Sequence, residues 1–169
     1  LRSGRRSREF ESPHPEVKNH IIKFHITGKP QKNMILFQGK FPTTRKLKTD
    51  IISIIKDKLS EIDGRICIDM LDLNLILDEA IINAMEHGNN WDPSKNISIK
   101  IMLTQKGIQI EIEDEGTGFD YFHKFTMDEI KPRLSERGRG LLLMKQFCDI
   151  EWKNCGNIIK INIPFELIA

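Results

Sequence analysis

A chain of 169 residues, of which 39% are hydrophobic, is long enough to bury one substantial core and predicts one soluble domain. Its net charge of +2 shows no excess that would indicate direct nucleic-acid binding. No apolar run approaches the ~20 residues that cross a membrane, and no signal-peptide pattern is present. The three cysteines are odd in number and lack zinc-like spacing. We therefore interpret them as reduced thiols and expect a cytoplasmic location.

Residues 1–19 predict a disordered basic tail, because they combine arginines and prolines with almost no apolar pattern. A basic tail can contact nucleic acid or an acidic partner. For so short a run, a solvated linker is the commoner case. We expect residues 20–169 to form a single domain that begins with a strand over residues 22–26.

A second strand is predicted at about residues 34–41, followed by a helix whose apolar stripe includes Leu47, Ile51 and Ile55. The next helix, over residues 73–88, organises the rest of the chain. At about 100° per residue its apolar side chains, Leu75 included, cover one face and much of the remainder, so we expect burial on more than one side.

Glu79, Asn83 and His87 are spaced four residues apart and form one polar stripe on this helix. A polar stripe is usually a solvated face, and that interpretation stays open. In a largely buried setting, however, a carboxylate and an amide need partners, because unpaired polar groups there are costly. A metal ion or a ligand would meet that need.

Two alternating strands follow, at residues 97–103 and 108–114, with a turn between them. Asp114 continues the isoleucine side of the second strand, so its carboxylate is predicted to point inward where the chain breaks into Gly116 and Gly118. Glycines there allow other atoms to approach the backbone closely. The alternative is a hairpin turn capped by an aspartate.

The long segment over residues 119–137 is expected to be a mobile lid, because long loops in compact domains are commonly functional. The alternative is a short helix with ordinary loop packing. Gly138 and Gly140 then precede an amphipathic helix. The free backbone N–H groups at the start of that helix would suit a phosphate group. The alternative is a flexible loop before an ordinary helix. Two short strands, at residues 150–153 and 158–163, flank a turn at Gly156. Three helices on one face of a mainly antiparallel sheet of five or six strands give an α+β two-layer sandwich.

Three motifs in this order resemble those of the Bergerat-fold (GHKL) ATPases, the superfamily of gyrase, Hsp90 and histidine kinases. Residues 78–88, DEAIINAMEHG, resemble the asparagine box; residues 114–120, DEGTGFD, the first glycine box; and residues 138–144, GRGLLLM, the second. The likeness spans about residues 34–165. Within the superfamily the chain is most similar to the anti-sigma-factor serine/threonine kinases of bacterial sporulation and stress response.

The resemblance implies a role for each matching position. Asn83 would bind Mg²⁺, Glu79 would be the general base, and Asp114 would accept a hydrogen bond from the adenine amino group. The remaining expected nucleotide-binding residues are His87, Gly116, Gly118, Arg137, Gly138, Arg139, Gly140, Leu141 and Asn157.

Two positions depart from the family pattern. Arg137 replaces a glycine and either stiffens the lid or adds a phosphate contact. Asn157 stands where a threonine often faces the nucleotide, and we expect binding to be retained with altered affinity.

The resemblance implies an ATP- and Mg²⁺-dependent serine/threonine protein kinase that phosphorylates an anti-anti-sigma partner and binds a sigma factor. It also favours a homodimer, and it implies neither a membrane nor direct nucleic-acid contact. The alternatives are a nucleotide-binding regulatory adaptor and an ATPase switch, both without protein-kinase activity.

Overall fold

The computed structural model describes residues 33–62, 65–118 and 144–166. In chain order the elements are β1 (Met34–Pro42), α1 (Leu47–Ser60), β2 (Arg65–Ile66), α2 (Met70–Ile82), a π-helical segment (Asn83–Gly88), β3 (Asn96–Thr104), β4 (Gly107–Asp114), β5 (Asp149–Lys153), β6 (Ile158–Ile163) and β7 (Phe165–Glu166). Five strands form one sheet in the order β1-β3-β4-β6-β5, and all neighbours are antiparallel. Strands β2 and β7 pair separately. The predicted α+β architecture is confirmed.

Rows of isoleucine align across the sheet and form the inner layer of the core. Ile101 is paired with Ile110, which is paired with Ile161, and Ile161 with Ile150 of the edge strand β5. The three central members are fully buried. β-branched side chains pack well on a pleated surface, so this register explains why the alternating sequence forms one continuous sheet.

Both helices bury one face in the same core as the sheet. Asp69 caps α2, because its carboxylate accepts a hydrogen bond of 2.7 Å from the Leu71 backbone N–H. The expectation that α2 is covered on further sides is wrong at its first half, where Leu71 is 81% and Leu75 42% exposed. Asp78, on the same side, pairs with Lys48 of α1 at 2.7 Å.

The predicted helix over residues 73–88 does not stay α-helical to its end. After Ile82 the chain widens into the π-helical segment Asn83–Gly88. The backbone N–H of Asn89 donates to the carbonyl of Ala84, five residues earlier, at 2.9 Å. Short π-helical turns inside α-helices are rare and frequently occur at functional sites.

Several predictions about chain ends and connections lie outside the described residues. These are the basic tail (1–19), the strand over residues 22–26 and the whole segment between the glycine boxes (119–137). Of the third helix, residues 144–147 are seen to be helical. None of the helices in the three described stretches combines the length and apolar character needed to cross a bilayer.

Candidate functional site

A cavity of about 260 Å³ lies where the end of β4 meets the π-helical segment and the turn between β5 and β6. The helix side contributes Ala80, Asn83, Ala84, His87 and Gly88; the sheet side contributes Ile112, Asp114, Gly118, Trp152, Gly156, Asn157 and Ile159. The cavity therefore has an apolar floor with a few amides and one carboxyl group on its walls, which is typical of a small-molecule site.

Asp114 points inward, as the alternation of β4 predicts, and is 8% exposed. Its Oδ1 accepts a hydrogen bond of 2.8 Å from the Gly116 backbone N–H. Burial raises the pKa of Asp114, and the bond from Gly116 opposes that rise. Within the described chain Oδ2 has no hydrogen-bond partner. The site thus holds a carboxyl oxygen that a ligand donor would satisfy.

Glycine is required at two walls of this cavity. A Cβ on Gly88 would overlap the carboxyl group of Asp114. The separation would be below 3.0 Å, a distance that real Cβ atoms essentially never show. Gly118 has φ +75°, and a Cβ there would overlap the carbonyl oxygen of Cys155. Side chains at these positions would displace the acid or narrow the cavity.

Asn157 is tied to the backbone of the same acid. Its Nδ2 donates to the carbonyl oxygen of Asp114 at 3.1 Å, and the Asp114 N–H donates to the Asn157 carbonyl at 3.0 Å. These bonds join the turn after β5 to the end of β4. The Asn157 side chain lines the cavity, and its amide nitrogen is already engaged within the protein.

The structure brings Asn83, His87, Asp114, Gly118 and Asn157 to one cavity. Gly116 lies behind the acid and contacts the Gly88 carbonyl.

Glu79 is half-buried one turn before Asn83 and does not line the cavity. The five residues from Arg137 to Leu141 lie outside the described part of the chain. Contacts of these six residues with a nucleotide stay predictions, as do those of the residues that the structure brings to the cavity.

No group of three or more His, Cys, Asp or Glu residues that could hold a metal ion occurs within residues 33–62, 65–118 and 144–166. Asn83 offers one hard amide oxygen. That donor set does not suit a metal held by protein ligands alone. It suits Mg²⁺, which keeps several waters and shares the oxygens of a bound phosphate.

The sequence analysis did not predict that Asn89 is a buried structural residue, because Asn89 lies in the turn-rich loop after the helix. It is fully buried, and its side chain makes three hydrogen bonds, to Thr43, to the Asn96 carbonyl and from the Glu115 N–H. A polar residue in a predicted turn gives no periodic signal of burial. Only the contact between distant segments identifies it.

A second hollow, of about 520 Å³, lies beside the turn between β3 and β4. Lys106, Asp149 and Glu151 on its walls are exposed, and Gln109 donates to Asn162 there at 2.7 Å. It lacks a buried acid and lies away from the expected site residues.

Known proteins match the same region. The family model of the histidine kinase-like ATPase domain matches residues 47–163. Anti-sigma F factor from Geobacillus stearothermophilus is 28% identical over 83 residues, which cover 48% of this chain and 57% of that protein. Serine-protein kinase RsbW from Bacillus subtilis (strain 168) is 28% identical over 109 residues, with 59% and 68% covered.

Anti-sigma F factor from Clostridium perfringens (strain SM101 / Type A) is 30% identical over 83 residues, with 48% of this chain and 59% of that protein covered. The chain spans somewhat more than half the length of the anti-sigma F factors that it matches. The family match, in contrast, takes in most of the chain, including both helices and four of the five strands of the sheet, with β1 lying before it. The chain therefore belongs to the histidine kinase-like ATPase domain family.

Proposed function

We propose that this protein is an ATP- and Mg²⁺-dependent serine/threonine protein kinase that phosphorylates an anti-anti-sigma partner and binds a sigma factor. The observation that carries the proposal is the meeting of Asn83 and Asp114 in one cavity, with Glu79 one helical turn from Asn83. A ligand that spans these three residues needs a hydrogen-bond donor at one end and charged oxygens at the other. ATP with Mg²⁺ meets both needs.

The fit of adenine rests on the surroundings of Asp114. Its Oδ1 is held by the Gly116 N–H, which leaves Oδ2 to accept from the exocyclic amino group. Ile112 and Ile159 line the same cavity as that acid and offer apolar surface on which a flat ring would pack. A purine with a donor at the matching position gains a charge-assisted hydrogen bond there.

The fit of Mg²⁺ rests on Asn83. When bound with ATP, Mg²⁺ would neutralise charge on the phosphate oxygens. The amide oxygen of Asn83 would hold it from the helix side. The matching residues Arg137, Gly138, Arg139, Gly140 and Leu141 are assigned to the phosphates, and His87 and Asn157 to the rest of the nucleotide.

Glu79 is assigned the chemical step. Its carboxylate would accept the proton of a serine or threonine hydroxyl as that oxygen forms a bond to the γ-phosphorus. The bond between the γ-phosphorus and the bridging oxygen then breaks, and ADP leaves. Most of the rate enhancement would come from positioning and charge neutralisation.

The partner assignments follow the names of the relatives. Proteins named anti-sigma F factor and serine-protein kinase RsbW match this chain, which favours a sigma factor and an anti-anti-sigma protein as its partners. A homodimer and a cytoplasmic location belong to the same proposal. No described surface is assigned to nucleic acid.

The second candidate is a nucleotide-binding adaptor or ATPase switch of the same fold. The position of Glu79 outside the described cavity lining favours it, because a base must reach the reacting hydroxyl in the complex. An adaptor would bind ATP without transfer, and a switch would release phosphate without any phosphoprotein.

The test is incubation with γ-labelled ATP and Mg²⁺ in the presence of candidate anti-anti-sigma domains. The kinase proposal expects label on a serine or threonine. Glu79→Gln is expected to lose that transfer and to keep ATP binding. Glu86→Gln, seven residues further on in the π-helical segment, serves as the matched control with transfer intact. Tight ATP binding without transfer to any candidate would select the adaptor.

A further inference from the structure

Asn89 pairs both N–H donors and the oxygen of its side chain in a fully buried position. Its Nδ2 donates to Thr43 Oγ1 at 2.8 Å and to the Asn96 carbonyl at 2.9 Å, and its Oδ1 accepts from the Glu115 N–H at 2.8 Å. An amide has two N–H donors, and both are paired here together with the acceptor. Such a residue is held rigidly, because leaving any of these groups unpaired in the interior is costly.

The three bonds join separate parts of the fold. Thr43 lies between β1 and α1, Asn96 begins β3, and Glu115 directly follows the acid at the end of β4. The Asn89 backbone meanwhile closes the π-helical segment through its bond to Ala84. One side chain therefore fixes the end of the helix that carries Asn83 against the end of the strand that carries Asp114.

This fixation determines a contact inside the candidate site. Gly88, the residue before Asn89, lies against the carboxyl group of Asp114 so closely that no Cβ fits between them. The Gly88 carbonyl in turn touches Gly116, whose N–H binds Asp114 Oδ1. Because the chain on both sides of this contact is held by Asn89, a small movement of Asn89 is transmitted directly to the acid.

The network has further support at Glu115. Its carboxylate accepts a hydrogen bond from the Asn96 N–H at 3.0 Å and pairs with Lys40 at 2.8 Å. The Thr43 N–H donates to the Lys95 carbonyl at 2.9 Å, which ties the same corner to the start of β3. The turn after β4 is thus anchored on both its backbone and its side chain.

We infer that Asn89 is a positioning residue for base recognition: it holds Asp114 at the place where its carboxylate distinguishes a purine that carries an amino group from one that carries a carbonyl. The inference rests on the proposed function, because it takes adenine as the ligand of Asp114. Asn89 itself touches no ligand and acts through Gly88, Glu115 and Asp114.

The ratio of the affinities for ATP and ITP tests this role. The base of ITP has a carbonyl oxygen where adenine has the amino group. ITP therefore places a hydrogen-bond acceptor against the carboxylate of Asp114, which is also an acceptor. Both nucleotides bind the same folded molecules, so a loss of folded protein cancels in the ratio. A residue with a merely structural role therefore leaves the ratio unchanged, whereas a displaced Asp114 lowers it.

The wild-type chain is expected to prefer ATP over ITP by roughly tenfold or more, because ITP cannot make the buried hydrogen bond to the charged carboxylate. Asn89→Ala is expected to reduce that preference by about fivefold. Thr43→Val removes only the bond to Thr43 and leaves the bonds of Asn89 to Asn96 and Glu115. It is therefore expected to reduce the preference for ATP by about twofold. Should Asn89→Ala fail to fold, Thr43→Val gives the result.

Asn162→Ala is the matched control, because it deletes an asparagine hydrogen bond on the outer face of the same sheet, from Gln109 at 2.7 Å. Its ratio is expected to equal that of the wild type. In an Asp114→Asn background, Asn89→Ala is expected to change the ratio no further, since both substitutions act on the same contact.

Three results separate the possibilities. A wild-type protein that binds neither nucleotide contradicts the proposed function. A wild-type preference for ATP that survives in both Asn89→Ala and Thr43→Val overturns the role of Asn89 alone. A preference that falls in these two variants, stays in Asn162→Ala and shows no additivity with Asp114→Asn supports the inference.

Discussion

Replacement of Gly88 by alanine gives a direct test of how tightly the candidate site is built. The added Cβ would overlap the carboxyl carbon and both oxygens of Asp114, at separations below 3.0 Å, whereas ordinary contact requires at least 3.4 Å. The acid or the helix end must therefore move by more than 0.4 Å. Gly88 and Asp114 both line the cavity, so this movement changes the shape of the candidate site itself.

We expect Gly88→Ala to lose about 1 to 3 kcal/mol of unfolding free energy, the usual cost of an extra methyl group in a filled site. The displaced carboxyl group should also lose its hydrogen bond to adenine, which lowers ATP affinity by roughly tenfold. Urea unfolding measures the first effect, and titration calorimetry of the folded variant with ATP measures the second.

Gly39→Ala is the matched control. A Cβ on Gly39 would meet the ring ends of Phe37 and Phe41 at 2.8 to 3.0 Å, and these side chains can shift. This variant should keep the ATP affinity of the wild type even if its stability falls. A folded Gly88→Ala protein that binds ATP as tightly as Gly39→Ala would refute the claim that Gly88 must be bare for Asp114 to be in place.

Three further predictions concern single side chains. Burial raises the folded-state pKa of Asp114 above its ordinary 3.8, so the stability that its protonated form contributes is lost as the pH rises through that raised pKa. Asp114→Asn should therefore gain stability over the wild type from acid to neutral pH in urea unfolding, and a constant difference would contradict this. Asn83→Ala should weaken ATP binding about tenfold with Mg²⁺ present and leave adenosine binding unchanged, as measured by calorimetry; equal losses for both ligands would argue against a metal role. Burial raises the pKa of the Cys148 thiol to about 11, so iodoacetamide at pH 8 should label the exposed Cys155 and spare Cys148 in mass spectrometry of the native protein; equal labelling would show that Cys148 is accessible.

Local periodicity was sufficient to predict the sheet and the direction of its acid. Alternation in β4 points Asp114 to the isoleucine side, and the structure confirms that it is buried there. The polar stripe of Glu79, Asn83 and His87 was predicted in the same way; Asn83 and His87 line one cavity, and Glu79 does not. These features follow from residues within two to four positions of one another, so the chain encodes them before it folds.

The widening of the helix after Ile82 could not be predicted in this way. The π-helical segment interrupts the 3.6-residue period, and no residue type in it demands that change. The two-residue strands β2 and β7 were likewise missed, because two residues are too few to show an alternation. Leu75 was expected to be covered, and only the packing of α2 shows that it is exposed.

The sequence by itself therefore determined the fold class, the inward acid and the polar helix face, since each depends on a short repeat along the chain. Tertiary structure alone decided that Asn89 is buried and that Gly88 lies against Asp114. The bonds responsible join residues 46 and 26 positions apart. Partners so distant leave no local pattern, because their contact exists only after the sheet and helices have packed together.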